Sequence, residues 1–184
     1  MADILNTIKE KLPRGTVKDT IFEGANIVVY TTDVSFIKNG EADIKSLVGL
    51  IKKRVELRGD KSILMDKVKT EEKLREILPK EEDITKILFD SQRSIVVIES
   101  KRPGLAIGRE GNLLTEIKNL TMWTPKVQRS SAIPSKITDK IREVLYMDNN
   151  YRKKFLNSIG EKIYKEWSSD KIEEWVRITA LGGG

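Results

Sequence analysis

Two glycines stand three residues apart in Lys101-Arg102-Pro103-Gly104-Leu105-Ala106-Ile107-Gly108-Arg109-Glu110-Gly111-Asn112-Leu113-Leu114. Of the whole chain, this segment has the residue types best suited to holding a ligand. Glycines let the backbone turn tightly and approach a ligand with no Cβ in the way. The apolar spacing that follows predicts a helix over 111–121. Its free N–H groups and positive dipole end would face the loop and suit a phosphate. Lys101, Arg102 and Arg109 bring positive charge to the same spot. Glu110 brings negative charge, which costs affinity for an anion unless its carboxylate faces solvent or Arg109. Two common phosphate loops are disfavoured: no Gly-Lys-Ser/Thr follows, and the first Gly-x-Gly of a dinucleotide fingerprint is missing.

Other chemistry is ruled out by what the chain lacks. Its 184 residues include no His and no Cys, so there is no thiol nucleophile, no Ser-His triad, no disulfide and no Cys/His zinc site. Glu71-Glu72 and Glu81-Glu82-Asp83 fit helix-start charges and solvated faces better than a carboxylate-held Mg²⁺. The chain by itself is therefore expected not to be an enzyme, and to carry no cofactor or metal. The net charge of +6 is concentrated: residues 101–131 carry 6 Lys and Arg against 2 Asp and Glu. A basic patch around a glycine loop suits nucleic acid, because Lys and Arg displace its condensed counterions. No apolar run approaches the ~18 residues of a membrane span, and no charged-then-apolar leader opens the chain. A soluble, cytoplasmic protein is expected, with no membrane partner.

The elements that must position the loop recur. Ile4, Leu5, Ile8 and Leu12 form a helical stripe over 3–12, ended by Pro13. Residues 16–33 read as a hairpin turning at Gly24-Ala25-Asn26. A polar stretch containing Asn39-Gly40 leads to a helix over 41–53, and Val55-Glu56-Leu57-Arg58 reads as a strand. The same order then returns: a helix over 71–79 stopped at Leu78-Pro79, strands 84–90 and 94–100 around Ser91-Gln92-Arg93, the helix 111–121 and a strand over 125–130. Ile87-Leu88-Phe89-Asp90 answers Ile21-Phe22-Glu23, and Ile95-Val96-Val97-Ile98 answers Ile27-Val28-Val29-Tyr30. This is a diverged internal repeat, predicting an α+β chain of two related units. Their expected extents are 1–66 and 67–131, each a small sheet with helices on one face. In the remaining 132–184, Ile133, Ile137, Ile141 and Leu145 recur every four residues, as do Tyr151, Phe155, Ile159, Ile163 and Trp167. They predict two linker helices broken near Asp148-Asn149-Asn150, their stripes used for core or interdomain packing. Residues 175–181 (WVRITAL) read as a terminal strand.

The second unit resembles the K-homology (KH) RNA-binding domain, which is marked by Ile-Gly-x-x-Gly between two short helices. Here that motif is Ile107-Gly108-Arg109-Glu110-Gly111. The resemblance implies a loop that holds the backbone of about four nucleotides while bases lie in an apolar groove between helix and edge strand. The implied RNA-binding residues are Gly108, Arg109, Glu110 and Gly111 in the loop, and Lys101 and Arg102 before it. The groove would add Ile107, Leu114, Ile117 and Lys118 from the helices, with Val127 and Arg129 from the strand. Ile107, Leu114, Ile117 and Val127 each fit ordinary core equally well. The first unit has Phe36-Ile37-Lys38-Asn39-Gly40 at the matching place, with one glycine only, so it reads as a KH-like (type II-like) fold with a structural or protein-contact role.

Over its whole length the chain resembles the N-terminal region of the archaeal cleavage-and-polyadenylation-specificity-factor-like β-CASP ribonucleases. The matching residues are KRPGLAIGREG (101–111), Trp123-Thr124-Pro125, VELRGD (55–60) and WVRITALGGG (175–184). The resemblance implies two KH domains that select single-stranded, U-rich RNA. It also implies a zinc-dependent metallo-β-lactamase nuclease domain whose first strand is the segment 175–181. RNA polymerase and a second copy of the chain are further implied partners, in RNA 3′-end processing or transcription termination. The alternative is a protein-interaction module docking onto the nuclease domain, RNA polymerase or a second copy.

Overall fold

The computed structural model describes residues 4–78, 83–131, 133, 135–147 and 150–164. The chain is α+β and holds two three-stranded sheets of identical topology. The first is built from α1 (Ile4–Lys11), β1 (Asp19–Glu23), β2 (Asn26–Thr31), α2 (Val34–Asn39), α3 (Glu41–Ile51) and β3 (Val55–Gly59). Strand β2 lies in the middle, antiparallel to β1 and parallel to β3. The second repeats this order with α4 (Lys67–Ile77), β4 (Ile84–Asp90), β5 (Ile95–Ser100), α5 (Pro103–Ile107), α6 (Asn112–Thr121) and β6 (Thr124–Arg129). Strand β5 is central, antiparallel to β4 and parallel to β6.

The central strands show why the apolar runs are continuous rather than alternating. Ile27 and Val29 point into the first core beside Ile8, Leu12, Phe36 and Leu47, while Val28 and Tyr30 are buried on the opposite face. Val96 and Ile98 join Leu74, Ala106, Ile117 and Trp123 in the second core, with Ile95 and Val97 buried behind them. A strand covered on both faces has no solvent side on which to place polar residues.

Two local features differ from the sequence expectation. Residues 34–39, expected as a polar connection, form α2, because Asp33 caps it by accepting hydrogen bonds from the N–H groups of Ser35 (2.8 Å) and Phe36 (3.2 Å). Helix α4 starts at Lys67, four residues before the expected start, with Asp66 accepting from Val68 and Lys69.

The two linker helices are α7 (Lys136–Tyr146) and α8 (Asn150–Tyr164), but their stripes do not pack as expected. Ile133 (79 %), Ile137 (74 %) and Tyr151 (73 %) are largely exposed, and Ile141, Leu145, Phe155 and Ile163 are more than half exposed. A different face of α8 does the packing. The Gly24 N–H donates to the Leu156 carbonyl (3.0 Å), the Phe22 N–H to Asn157 Oδ1 (3.0 Å), and Tyr164 stacks on Phe22 at 4.9 Å. Gly160 permits that approach: a Cβ there would run into the side chain of Phe22 and lie 2.8 Å from the Gly24 carbonyl. Helix α7 sits beside the second sheet, with Lys86–Asp139 and Arg142–Glu99 ion pairs. Trp167, the break at 148–149 and the expected strand 175–181 lie outside the described residues.

Candidate nucleic-acid interface

The glycine loop is the joint between α5 and α6. Pro103 opens α5 at its first turn, where the missing N–H costs nothing. Gly108 (φ +76°), just before a single 3₁₀ turn over Arg109–Gly111, and Gly111 (φ +79°), its last residue, both take positive φ, and Glu110 between them does too (+53°). Three of four residues in this region of φ/ψ space make a sharply protruding loop. A side chain at Gly108 would collide with Asn112 Oδ1 and come within 2.8 Å of Leu113 Cγ. At Gly111 there is open space, so only the backbone conformation demands glycine there.

Gly111 is the N-cap of α6 and supplies no capping side chain, but Asn112 Oδ1 accepts from the Leu113 N–H at 2.9 Å and the Arg109 carbonyl from the Asn112 N–H, so two of the first donors are already engaged. Arg109 and Glu110 are both exposed at the tip, and Lys101 is exposed at the start of α5. Arg102 is engaged elsewhere: its guanidinium grips Asp83 with two hydrogen bonds of 2.8 and 2.7 Å. Its charge is thus partly spent on closing the loop region against the start of β4.

Helix α6 runs away from the loop to Thr121, and β6 returns antiparallel to it, ending at Arg129 opposite Ser100 at the entrance to α5. Of the residues expected to line a groove here, Ile107, Leu114 and Val127 are half-buried, Val127 against the second core, and Arg129 is exposed. Ile117 is different. It is fully buried among Leu74, Val96 and Trp123, and so supports the groove from beneath without lining it. Lys118 lies at the far end from the loop. Burial lowers its pKa, while Glu41 and Glu56 pull the other way.

That far end opens between the two sheets into a cleft of about 430 Å³. Its walls include Lys118, Pro125 and Lys126 from the second unit and Arg54, Glu56 and Arg58 from β3 and the residue before it. Behind it lies a buried ion network that sequence reasoning missed. Glu23, 1 % exposed, accepts from Arg58 Nη1 at 2.9 Å and from Arg93 at 2.7 Å, and Arg58 also holds Glu56 at 2.6 Å. Burial alone would raise the Glu23 pKa, but Arg93 and Arg58 outweigh it and hold the carboxyl below its ordinary value. Tyr30, which donates to Glu23, is pushed well up by burial and by that carboxylate. The Glu56/Arg58 spacing on one face of a strand was visible in VELR. Arg93, seventy residues from Glu23, left no comparable signal.

Among the described residues no group of three or more His, Cys, Asp or Glu side chains is placed to hold a metal ion. No described helix is long and apolar enough to cross a membrane.

Residues 1–64 match the family model described as "Transcription termination factor FttA, KH domain". The chain is 38% identical over 184 residues to "Transcription termination factor FttA" of Methanothermobacter thermautotrophicus, covering 100% of this chain and 29% of that protein. It is 38% identical over 187 residues to the factor of the same name from Thermococcus kodakarensis, covering 98% and 28%. Against the one from Pyrococcus abyssi it is 37% identical over 185 residues, covering 100% and 28%. The chain thus spans less than a third of the length of these relatives.

Proposed function

We propose that this chain is a single-stranded RNA-binding region that selects transcripts for termination or 3′-end processing. The observation that carries the proposal is the α5–α6 joint. Gly108, Glu110 and Gly111 at positive φ project a loop tipped by Arg109 at the N-terminus of α6, with half-buried Ile107 and Leu114 on the flanking helices beside the proposed apolar channel. Such a loop can accept phosphodiester oxygens on backbone N–H groups while the channel takes bases. The relatives' printed name and the KH description of residues 1–64 support the same reading. We carry forward from the sequence resemblance a preference for U-rich RNA and a zinc-dependent nuclease working alongside this region. The proposed division is 1–66, 67–131 and 132–184.

Filter binding of oligouridylate at low and moderate salt tests the reading. Binding that weakens with salt, and that is lost in the Arg109→Asp/Glu110→Asp double variant, is the expected result. Unchanged affinity in that variant would sink the loop assignment.

A second reading has its own observation. The apolar stripes of α7 and α8, Ile137, Ile141 and Leu145 on one and Tyr151, Phe155 and Ile163 on the other, are more than half exposed. This supports a protein-contact role for the tail, toward the nuclease part, RNA polymerase or a second copy. Failure of oligouridylate to bind at either salt would favour this reading over the first.

A further inference from the structure

The cleft between the two sheets is not part of the loop-and-groove site, yet it shares walls with it. Helix α6 leads from Gly111 to Lys118 in about 10 Å of rise, at 1.5 Å per residue. Pro125 and Lys126, at the start of β6, stand beside the C-terminal half of α6. The groove therefore has the glycine loop at one end and the cleft at the other. Across the cleft stands the edge strand of the first sheet, β3, with Arg54 just before it.

The chemistry of the lining is one-sided. Arg54, Arg58, Arg93, Lys118 and Lys126 face a single carboxylate, Glu56. Arg58 and Arg93 are tied to Glu23, and Arg58 also takes Glu56 at 2.6 Å. Arg54 reaches Glu56 only at 3.8 Å with 76 % of its side chain exposed, and Lys126 is exposed. Among the described residues Lys118 and Lys126 have no carboxylate within ion-pair distance, and Arg54 has only the long, exposed contact to Glu56, which Arg58 already holds at 2.6 Å. Burial works against the charge on Lys118, so an anion settling beside it would relieve that cost. A volume of about 430 Å³ lies within the range of small-molecule sites and is large enough for one nucleotide.

We propose that the cleft is a second RNA subsite. A strand whose first nucleotides lie in the α6–β6 groove continues into it, placing a phosphate among Arg54, Lys118 and Lys126. The inference rests on the groove reading above and extends it: the first unit, which lacks a glycine pair, contributes to RNA binding through Arg54 at the foot of β3. Recognition is by charge and shape, so the subsite adds affinity with length rather than base preference.

The test compares four- and eight-nucleotide oligouridylates on the full chain, with wild type and an Arg54→Glu/Lys126→Glu variant. Both substituted side chains are exposed, and circular dichroism melting verifies that the fold is kept. The expected result is that the eight-mer binds wild type roughly tenfold more tightly than the variant, with a salt slope shallower by about 0.7 in the variant, as for one phosphate contact on a single strand. The four-mer should bind both alike, within about twofold. Equal eight-mer affinity in wild type and variant would overturn the subsite and leave the groove reading intact. Equal loss for both lengths would also overturn it, since the two side chains would then act on the groove or at long range. If neither length binds wild type, the groove reading itself fails and the subsite falls with it.

Discussion

The two sheets share strand order, strand direction and the pair of helices between the parallel strands, but differ at the joint of those helices. In the first unit Gly40 sits at φ −75°, ψ 8°, an ordinary right-handed conformation, and a Cβ there would press on the Phe36 carbonyl and ring. That glycine brings α2 and α3 into a tight corner. In the second unit Gly108 and Gly111 hold positive φ and push the backbone outward. One topology thus yields a closed corner or an open loop depending on whether glycine is used for its small size or for its backbone freedom. The family match to residues 1–64 falls on the unit with the closed corner, and the loop suited to phosphate lies in the other.

The sharpest way to break this comparison is to separate the units. Glu23→Ala leaves the buried Arg58 without its main partner, and breaking such a pair costs about 3–5 kcal/mol. Urea denaturation should show that loss. By contrast, Asp83→Ala, which removes one ion pair of the exposed Arg102, should cost under ~1 kcal/mol.

Next in size is the difference in ligand contact. The Arg109→Asp/Glu110→Asp change should weaken oligouridylate binding by roughly 10–100-fold, the worth of one or two charge-assisted contacts. Lys38→Asp at the matching joint of the first unit should leave binding within about twofold. An equal loss in both would mean that the closed corner also meets RNA.

The glycines themselves give a smaller effect. Gly40→Ala should destabilise by about 1–3 kcal/mol through overpacking against Phe36. Gly111→Ala has room for its Cβ and should cost only ~1–2 kcal/mol from left-handed backbone. Thermal melts of the two variants would rank them.

The smallest expected effect is with pH. Glu23 titrates below its ordinary 4.5 in the folded chain, so its contribution is full above about 4.5 and is lost as pH falls through the lower folded value. Asp60 behaves alike. Burial would raise it, but Lys18 and Ser62 hold it at about 2, so its share fades between 3.8 and about 2. Asp90, pushed up by burial, works in the opposite direction and shrinks the total. Stability measured from pH 7 to 2 should fall less steeply in Glu23→Gln than in wild type.

Much of this was legible before any coordinates. The hairpins and the recurrence of the whole order follow from local apolar runs such as Ile27–Tyr30 and Ile95–Ile98, because a strand's composition reports how many of its faces are covered, while the parallel direction of the third strands was set by the tertiary pairing. Helix α2 was hidden because its signal is one capping carboxylate, Asp33, and not an apolar stripe. The stripes of α7 and α8 misled: periodicity identifies the helices but not which face finds a partner, and on α8 the contact is made through Leu156, Asn157 and Gly160.

The same limit divides the site. The sequence alone determined the loop, because Gly108 and Gly111 act through their own φ angles and through the helix that begins beside them. It determined the basic surplus near 101–131 as well. Only the tertiary structure decided that Ile117 is core, that Arg102 is held by Asp83, and that Arg54 and Lys126 face one cleft. Those outcomes depend on how two sheets dock around Glu23, Arg58 and Arg93, whose contacts join residues up to seventy positions apart. Short-range spacing records the backbone a segment prefers; it carries no record of which distant charge will meet it.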